Sequence, residues 1–417
     1  MAILVEDGLI RDIRPSAGLT PIGSQAVVDR SDCTVAPGFV DAHVHLVFTC
    51  GHDHETTRTA VELSDASQLM ATAVRSGLEC LAAGITTVRD CGDLGFVTLR
   101  VRDAIHLGVV PGPRILAAGP PVTITSGHLS WCGNVADTPE EIRLATRRLC
   151  AQGVDVIKVM ASGGIMTRES YARQAQFSLD ELGIVVEEAH RLGRRVAAHA
   201  LNTESIRRAV AAGVDTIEHC EWRAADGSYD FDPDLARSMA EKGITAVVTM
   251  AGITRLLLPE FSEESTPEVA VAHRMSRTGD MWQDHDWARR LRDAGVKLAL
   301  ASDAGVRFTP FRRFDETLRC GIVALDLTLS EAVSLATLRA AEALGIAHSV
   351  GSIEVGKCAD LVMLDGLADE QTTTVGAVRE VWRDAELVVD GDGGFRLPPY
   401  PATPTAAELR RPPRQSR

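Results

Sequence analysis

Between residues 38 and 303 the sequence repeats one unit: a short β-branched run that ends in a polar or small residue, a loop, then a stretch of helical period. The runs read as strands are GFVDAHVHL (38–46), ITTVRDC (85–91), ILAAG (115–119), VDVIKVMA (154–161), RVAAHAL (195–201), DTIEHC (215–220), ITAVVTM (244–250) and KLALASD (297–303). They are nearly continuous in apolar residues, as strands covered on both faces must be. The stretch SLDELGIVVEEAHRLG (178–193) opens on Ser178 with Glu181 three residues later, a capping box. Several helical stretches stop at a glycine just before the next strand, at Gly84, Gly153, Gly193, Gly213, Gly243 and Gly295. That is the left-handed C-cap position ahead of a tight loop. Eight strand–helix units in series predict an α/β fold, a parallel (β/α)8 TIM barrel. A doubly wound open sheet is the alternative, but it normally carries a Gly-rich phosphate loop after its first strand, and none is present.

The flanks have another character. Residues 1–36 hold the strand-like pieces AILVEDGLIRDI and QAVVDR, and residues 349–394 answer with GSIEVGKCADLVML and REVWRDAELVVD. Each is broken by Gly or Asp in hairpin fashion. Neither flank can bury a core alone, so residues 1–36 and 349–394 are expected to pair into a small β-sandwich beside a barrel spanning 37–348. The Pro-rich, basic segment 395–417 is expected to be a mobile tail.

Composition narrows the class of function. A net charge of −14 argues against nucleic-acid binding, since no basic patch dominates such a field easily. No apolar run reaches the roughly 20 residues of a membrane span, and the start, MAILVEDGLIRDI, lacks the basic segment of a secretion signal. Nine cysteines, an odd number without CxxC pairs, fit reduced thiols in a cytoplasm. The expected partner is a small-molecule substrate, and the expected assembly a homo-oligomer.

The chemistry begins at PGFVDAHVHLVF (37–48). On a strand, residues two apart share a face, so His43 and His45 look one way together with Asp41. They are either a pair of hydrogen-bonded structural histidines or half of a metal clamp. Functional groups of such a barrel sit at the C-terminal ends of its strands. Read at that position, the chain places His43 and His45 on the first strand, Lys158 on the fourth, His199 on the fifth, His219 on the sixth and Asp303 on the eighth. Buried charge at one mouth is unfavourable unless paired or metal-bound, so the set as a whole points to metal. A protonated lysine would repel the cations. Addition of CO2 to its amine would instead give a carbamate able to bridge two of them. A Schiff-base lysine is the competing reading, but imine chemistry needs none of the four histidines.

These segments, together with LAAGITTVRDCGD, GPRILAAGPPVTITSGH, VIKVMASGG, EEAHRLGRRVAAHALN, AGVDTIEHC, GVKLALASDAG and GSIEVGKCADLVMLDG, resemble the amidohydrolase superfamily. The branch is the binuclear-zinc one of prolidases, arginine carboxypeptidases and ochratoxin-degrading amidases. The resemblance implies an enzyme holding two divalent metal ions, zinc being expected. His43 and His45 would hold the more buried ion and His199 and His219 the other. Lys158, as N6-carboxylysine, would bridge them, and Asp303 would bind the first ion and act on the attacking water. The implied reaction is hydrolysis of an amide-type C–N bond, in a dipeptide or an N-acyl amino acid with a free carboxylate. Alternatives on the same centre are a lactonase, a cyclic amidase or a deaminase. Deaminases of this superfamily commonly use one metal and lack the strand-four lysine, so Lys158 counts against them. A metal-free scaffold protein would have lost ligands, and all six are present.

The chain departs from its relatives in places. They usually begin with another strand or two before VEDG. Where they often read His-Ala-His-Gly, this chain has His199-Ala200-Leu201-Asn202, and Trp222 stands near the sixth strand end, where it would reshape the pocket. Four further residues are candidates for contact with substrate. His128 lies on the loop after the third strand, Tyr171 and Arg173 on the loop after the fourth, and Arg307 shortly after Asp303; each would grip a carboxylate or approach the reacting bond. His52 and His54 in CGHDH read as solvated loop residues, and His106, His190, His273, His285 and His348 as structural.

Overall fold

The structure, a computed structural model, describes residues 1–17, 26–51, 53–250, 286–368 and 375–396. The chain opens with β1 (Ala2–Glu6), β2 (Leu9–Arg14) and β3 (Cys33–Pro37). The eight expected central strands follow as β4 (Phe39–Val44), β5 (Ile85–Asp90), β6 (Arg114–Ala117), β7 (Val156–Met160), β8 (Arg195–Asn202), β9 (Thr216–Arg223), β10 (Thr245–Val248) and β11 (Lys297–Leu300). The described strands end with β12 (Leu361–Asp365), β13 (Val378–Arg383) and β14 (Glu386–Val389).

The central strands are all parallel and fall into two sheets, β4-β5-β6 and β7-β8-β9-β10-β11. No continuous ladder joins the two sheets; isolated bridges do, Val44 to Ala304 at one seam and Val122 to Val159 at the other. At the first seam Asp303 N–H donates to His43 C=O (2.9 Å) and His45 N–H to Ala304 C=O (2.8 Å). At the second, Val122 N–H donates to Lys158 C=O (2.8 Å). Regular pairing therefore gives way where the chemistry-bearing residues lie.

The strand interiors are buried throughout; every residue of β4, β5 and β7 is in the core. On the outward side, Val40 and Ala42 pack with Val247 and Ala299 against Ala340, Ala341 and Ala343 of the helix Leu338–Leu344. Small alanines on both sides allow helix and sheet to approach closely. The capping box of Ser178 and Glu181 forms, and Gly153 and Gly213 end their helices at φ 85°.

The two flanks meet through one strand pairing. β3 pairs antiparallel with β12, Cys33 opposite Asp365 and Pro37 opposite Leu361, in the four-stranded sheet β14-β13-β12-β3. The β1-β2 hairpin is a separate sheet, fastened by Ile10 N–H to Lys357 C=O (2.9 Å) and Ala359 N–H to Gly8 C=O (2.8 Å). One expectation fails: residues 26–30 of QAVVDR form no strand, and pairing starts only at Cys33. The reason is local. Asp29 accepts the N–H of Ser31 (2.9 Å) and Cys33 N–H returns to Arg30 C=O (3.1 Å), so the polar DRSD segment turns instead of extending. His52, His273, His285 and the tail from 397 lie outside the described residues. Among the described residues no single helix is long and apolar enough to cross a membrane.

Candidate metal centre

His43, His45, His199 and His219 come together on one cavity, and all four are at least nine-tenths buried. Their rings form a chain: centroids are 5.4 Å apart for His45–His43, 4.9 Å for His43–His219 and 4.7 Å for His199–His219. His128 continues it, 4.6 Å from His199. Each of the four has one nitrogen occupied by a protein partner. His43 Nδ1 meets Glu218 Oε2 (2.8 Å) and His45 Nδ1 meets Gly92 C=O (3.1 Å). His219 Nδ1 meets Thr249 Oγ1 (2.6 Å) and His199 Nε2 meets Gly163 C=O (3.1 Å). The carboxylate and carbonyl partners make the bonded nitrogen of His43, His45 and His199 the donor and leave the other as a lone pair, the arrangement of metal-binding imidazoles, whereas the Thr249 hydroxyl accepts either tautomer of His219. Burial, followed for His43 by the charge of Lys158 and for His199 by that of His219, holds these rings neutral; His45 is lowered to about 3, first by burial and then by Lys158.

Asp303 stands opposite, its Oδ1 3.5 Å from both His43 Nε2 and His45 Nε2. That oxygen is buried and has no hydrogen-bond partner among the described residues. Burial pushes the carboxyl up to about 8, with Lys158 opposing. A tetrahedral ion with bonds of about 2.1 Å separates its ligands by about 3.4 Å. The spacing of His43, His45 and Asp303, whose donor atoms all lie within 4.8 Å of one another, thus fits a divalent ion. Lys158, 1% exposed on β7, lines the same cavity, and no described carboxylate pairs with it at ion-pairing distance.

Backbone strain accompanies the site. His219, Cys220, Trp222 and Asp303 are all left-handed, at φ 66°, 57°, 58° and 57°. Such conformations persist in non-glycine residues only where surrounding structure enforces them, and they concentrate at functional sites.

The sequence reading missed the layer behind the ligands. Glu218, fully buried, accepts from Arg89 Nη2 (2.6 Å) and from Thr216 Oγ1 (2.6 Å) while it holds His43. Arg89 reaches on to Ala42 C=O (2.7 Å), so one buried ion pair ties β4, β5 and β9 together behind the first histidine. Asp90 accepts from Leu46 N–H (2.8 Å) and Gly92 N–H (3.1 Å), which sets the loop whose carbonyl holds His45. Asp41 accepts from Ser302 N–H (3.0 Å) and is pushed up to about 6 by burial. A signal was present: opposite charges, Arg89 and Glu218, inside two of the central strands.

The ligands open onto a cavity of about 130 Å³. Of the five residues expected to touch substrate, His128 and Arg307 line it and the other three do not. Trp222 is fully buried and packs on Phe231 (centroids 4.6 Å). The left-handed turn of the strand end puts Glu221 on the cavity wall in its place. Tyr171 is 69% exposed. The loop carrying it folds outward as a tight hairpin, with Gly163 N–H on Gln174 C=O and Gln174 N–H on Tyr171 C=O, both 3.0 Å. Arg173 lies over Gly227 on that outer side, and Ile165 and Met166 take the wall. Leu201, where the resemblance leads one to expect a histidine, makes the wall apolar. His54 is not a solvated loop residue. It is the first residue of the helix His54–Leu63 and lines the cavity, both ring nitrogens buried.

A strand-end set of buried histidines with a carboxyl and a lysine, carried on parallel strands, is a donor set of the kind that could hold a metal ion. The match to the amidohydrolase family spans residues 34–392, and the chain belongs to that family. Ochratoxinase of Aspergillus niger is 29% identical over 381 residues, covering 84% of this chain and 75% of that protein. Imidazolonepropionase of Pseudomonas entomophila is 26% identical over 385 residues, covering 87% and 86%. The crystal structure of a Xaa-Pro dipeptidase with bound methionine in its active site superposes with a TM-score of 0.77 at 29% identity, covering 92% of this chain and 94% of that one.

Proposed function

We propose that this protein is a binuclear metal-dependent hydrolase of an amide-type C–N bond, acting on a dipeptide or N-acyl amino acid with a free carboxylate. The observation that carries the reading is the buried Asp303 Oδ1, without a hydrogen-bond partner among the described residues, 3.5 Å from two histidine nitrogens whose far sides are already held. His43, His45 and Asp303 would hold one ion and His199 and His219 the other, both zinc by the nitrogen-rich donor set. When bound, such ions activate water near neutral pH and polarise a carbonyl. Asp303 takes the proton of the attacking water and delivers it to the departing nitrogen, a step amides need because an unprotonated amine leaves poorly. His128, beside His199, would donate a hydrogen bond to the substrate carbonyl. Around this centre we read a closed (β/α)8 barrel with a β-sandwich made from both flanks.

Lys158 is read as carboxylated. A bare ammonium buried beside four imidazoles, with no described carboxylate partner, is unfavourable; a carbamate removes the positive charge and adds two oxygens. Activity regained from chelator-treated protein should then require bicarbonate as well as zinc, and Lys158→Ala should be inactive. Full reactivation in CO2-free buffer would overturn this assignment.

The substrate class is supported by the methionine-bound dipeptidase and by ochratoxinase among the similar proteins. The imidazolonepropionases at similar coverage support a second reading, opening of a cyclic amide. Incubation of zinc-replete protein with N-acyl amino acids, dipeptides, lactones and cyclic amides, with new amines and acids followed separately, decides between them. Free amino acid from the first two classes is the expected result. We place the enzyme in a reducing compartment, in keeping with its nine cysteines, none of which is joined in a disulfide.

A further inference from the structure

Three nitrogen-bearing side chains line the cavity in addition to the metal-directed histidines and Lys158: His54, His128 and Arg307. Both ring nitrogens of His54, and Nδ1 of His128, are buried without a hydrogen-bond partner among the described residues. Arg307 pairs with no described carboxylate; its guanidinium lies 5.7 Å from the Phe308 ring centroid, a contact that engages none of its N–H donors. The carboxylate near His54 is Asp53, and it is committed elsewhere, capping the helix through Thr56 N–H (2.7 Å) and Thr56 Oγ1 (2.7 Å). The acid on the cavity wall besides Asp303 is Glu221, which faces Arg223 at 3.5 Å. Burial, and after it the charge of Arg307, lowers His54 to about 4, so the ring beside the guanidinium is neutral and offers one N–H.

We propose that His54 and Arg307 together form the subsite for the substrate's carboxylate, His54 being the residue that separates acids from their neutral amides. This rests on the hydrolase reading above and adds to it a place for the anion. A guanidinium presents two parallel N–H groups to a carboxylate, and the imidazole supplies a third donor from the side. A primary amide in the same place turns its own NH2 toward donors and leaves them unsatisfied, which is why such sites discriminate strongly. His128 neighbours His199 and serves the reacting carbonyl, so the two tasks fall to different residues.

The experiment compares N-acetyl-L-phenylalanine with N-acetyl-L-phenylalaninamide on zinc-replete protein, by kcat/KM and by calorimetric binding. Wild type should favour the acid by about a hundredfold, mostly in KM. His54→Ala and Arg307→Ala should each reduce that ratio about tenfold with metal content unchanged, and His54→Gln, which keeps a donor, should reduce it less. Equal treatment of acid and amide by wild type, or a ratio unmoved by both alanine variants, overturns the subsite. Cleavage of amides without such discrimination would leave the hydrolase reading standing while sinking this one. If neither compound is cleaved, binding alone decides: preference for the acid that is lost in His54→Ala supports the subsite, and equal binding defeats it.

Discussion

The His43, His45, His199 and His219 group and the His54–Arg307 pair line one cavity, yet they are built to opposite specifications. In the first group every ring has its far nitrogen held by Glu218, Gly92, Gly163 or Thr249, and for the three held by a carboxylate or carbonyl, His43, His45 and His199, one lone pair is on offer, in one direction. In the second, neither ring nitrogen of His54 has a hydrogen-bond partner among the described residues. Fastening a ligand in advance removes orientational freedom before the ion arrives, and suits an occupant that stays. Leaving donors unsatisfied raises the energy of the empty site, and suits one that comes and goes with each turnover.

That contrast can be broken most directly at the ligands. His43→Ala or His45→Ala should abolish hydrolysis and lower the zinc content measured by elemental analysis, whereas His54→Ala should leave zinc content at its wild-type level. Asp303→Asn comes next: amide hydrolysis should fall by about three orders of magnitude. An activated aryl ester of the same acyl group should suffer less, because its leaving group needs no proton. Equal losses on both substrates would remove Asp303 from proton transfer.

A smaller effect sharpens the role of the fastening itself. Glu218→Gln should weaken zinc binding by about 10–100-fold in a competition assay with a chromophoric chelator. If affinity is unchanged, the buried Arg89–Glu218 pair serves only to hold strands together.

The smallest effect is one of pH. In chelator-treated protein Asp303 keeps its proton to about pH 8, while the unfolded chain releases it near 3.8, so through this window stability falls as pH rises. The depressed histidines act oppositely, but only below their ordinary 6.5, where the unfolded chain takes up protons that the folded one refuses. Asp41, raised to about 6, adds to the carboxyl slope only below that value. Between 6.5 and 8 Asp303 alone of these groups contributes, and roughly 2 kcal/mol should be lost. Thermal melts across that interval should show the decline in chelated protein and not in zinc-replete protein, where Asp303 is held ionised.

The sequence carried the repeating strand–helix order and the meeting of His43, His45, Lys158, His199, His219 and Asp303 at one cavity because both are written in local patterns: apolar runs, terminal glycines and polar residues at strand ends. What supports the ligands was not legible, since Glu218 acts on His43 from another strand 175 residues away. Strand alternation also misled. Adjacent residues of a regular strand face opposite ways, but the left-handed backbone at His219, Cys220 and Trp222 breaks that rule. Glu218 and His219 therefore serve one centre, and Trp222 turns into the core. His54 was misread because its spacing from His52 looked like loop decoration; its place depends on how the helix His54–Leu63 settles, with Val61 buried, beside the mouth.

The sheet that joins both flanks has a consequence in time as well as in space. Thr34 Oγ1 donates to the carbonyl of Gly366, 332 residues further on (2.9 Å), and β3 finds its partner only in β12. Closing so long a loop from an unfolded chain carries an entropic penalty that grows with the logarithm of its length. During synthesis, at about 5–20 residues per second, β3 leaves the ribosome tens of seconds before β12 exists. The central units can collapse during that interval, because their pairings are between neighbours in sequence. The flank sheet is then assembled last, onto a body already formed, and a ribosome that stalls before β12 releases a chain whose β3 still presents a bare edge to its neighbours.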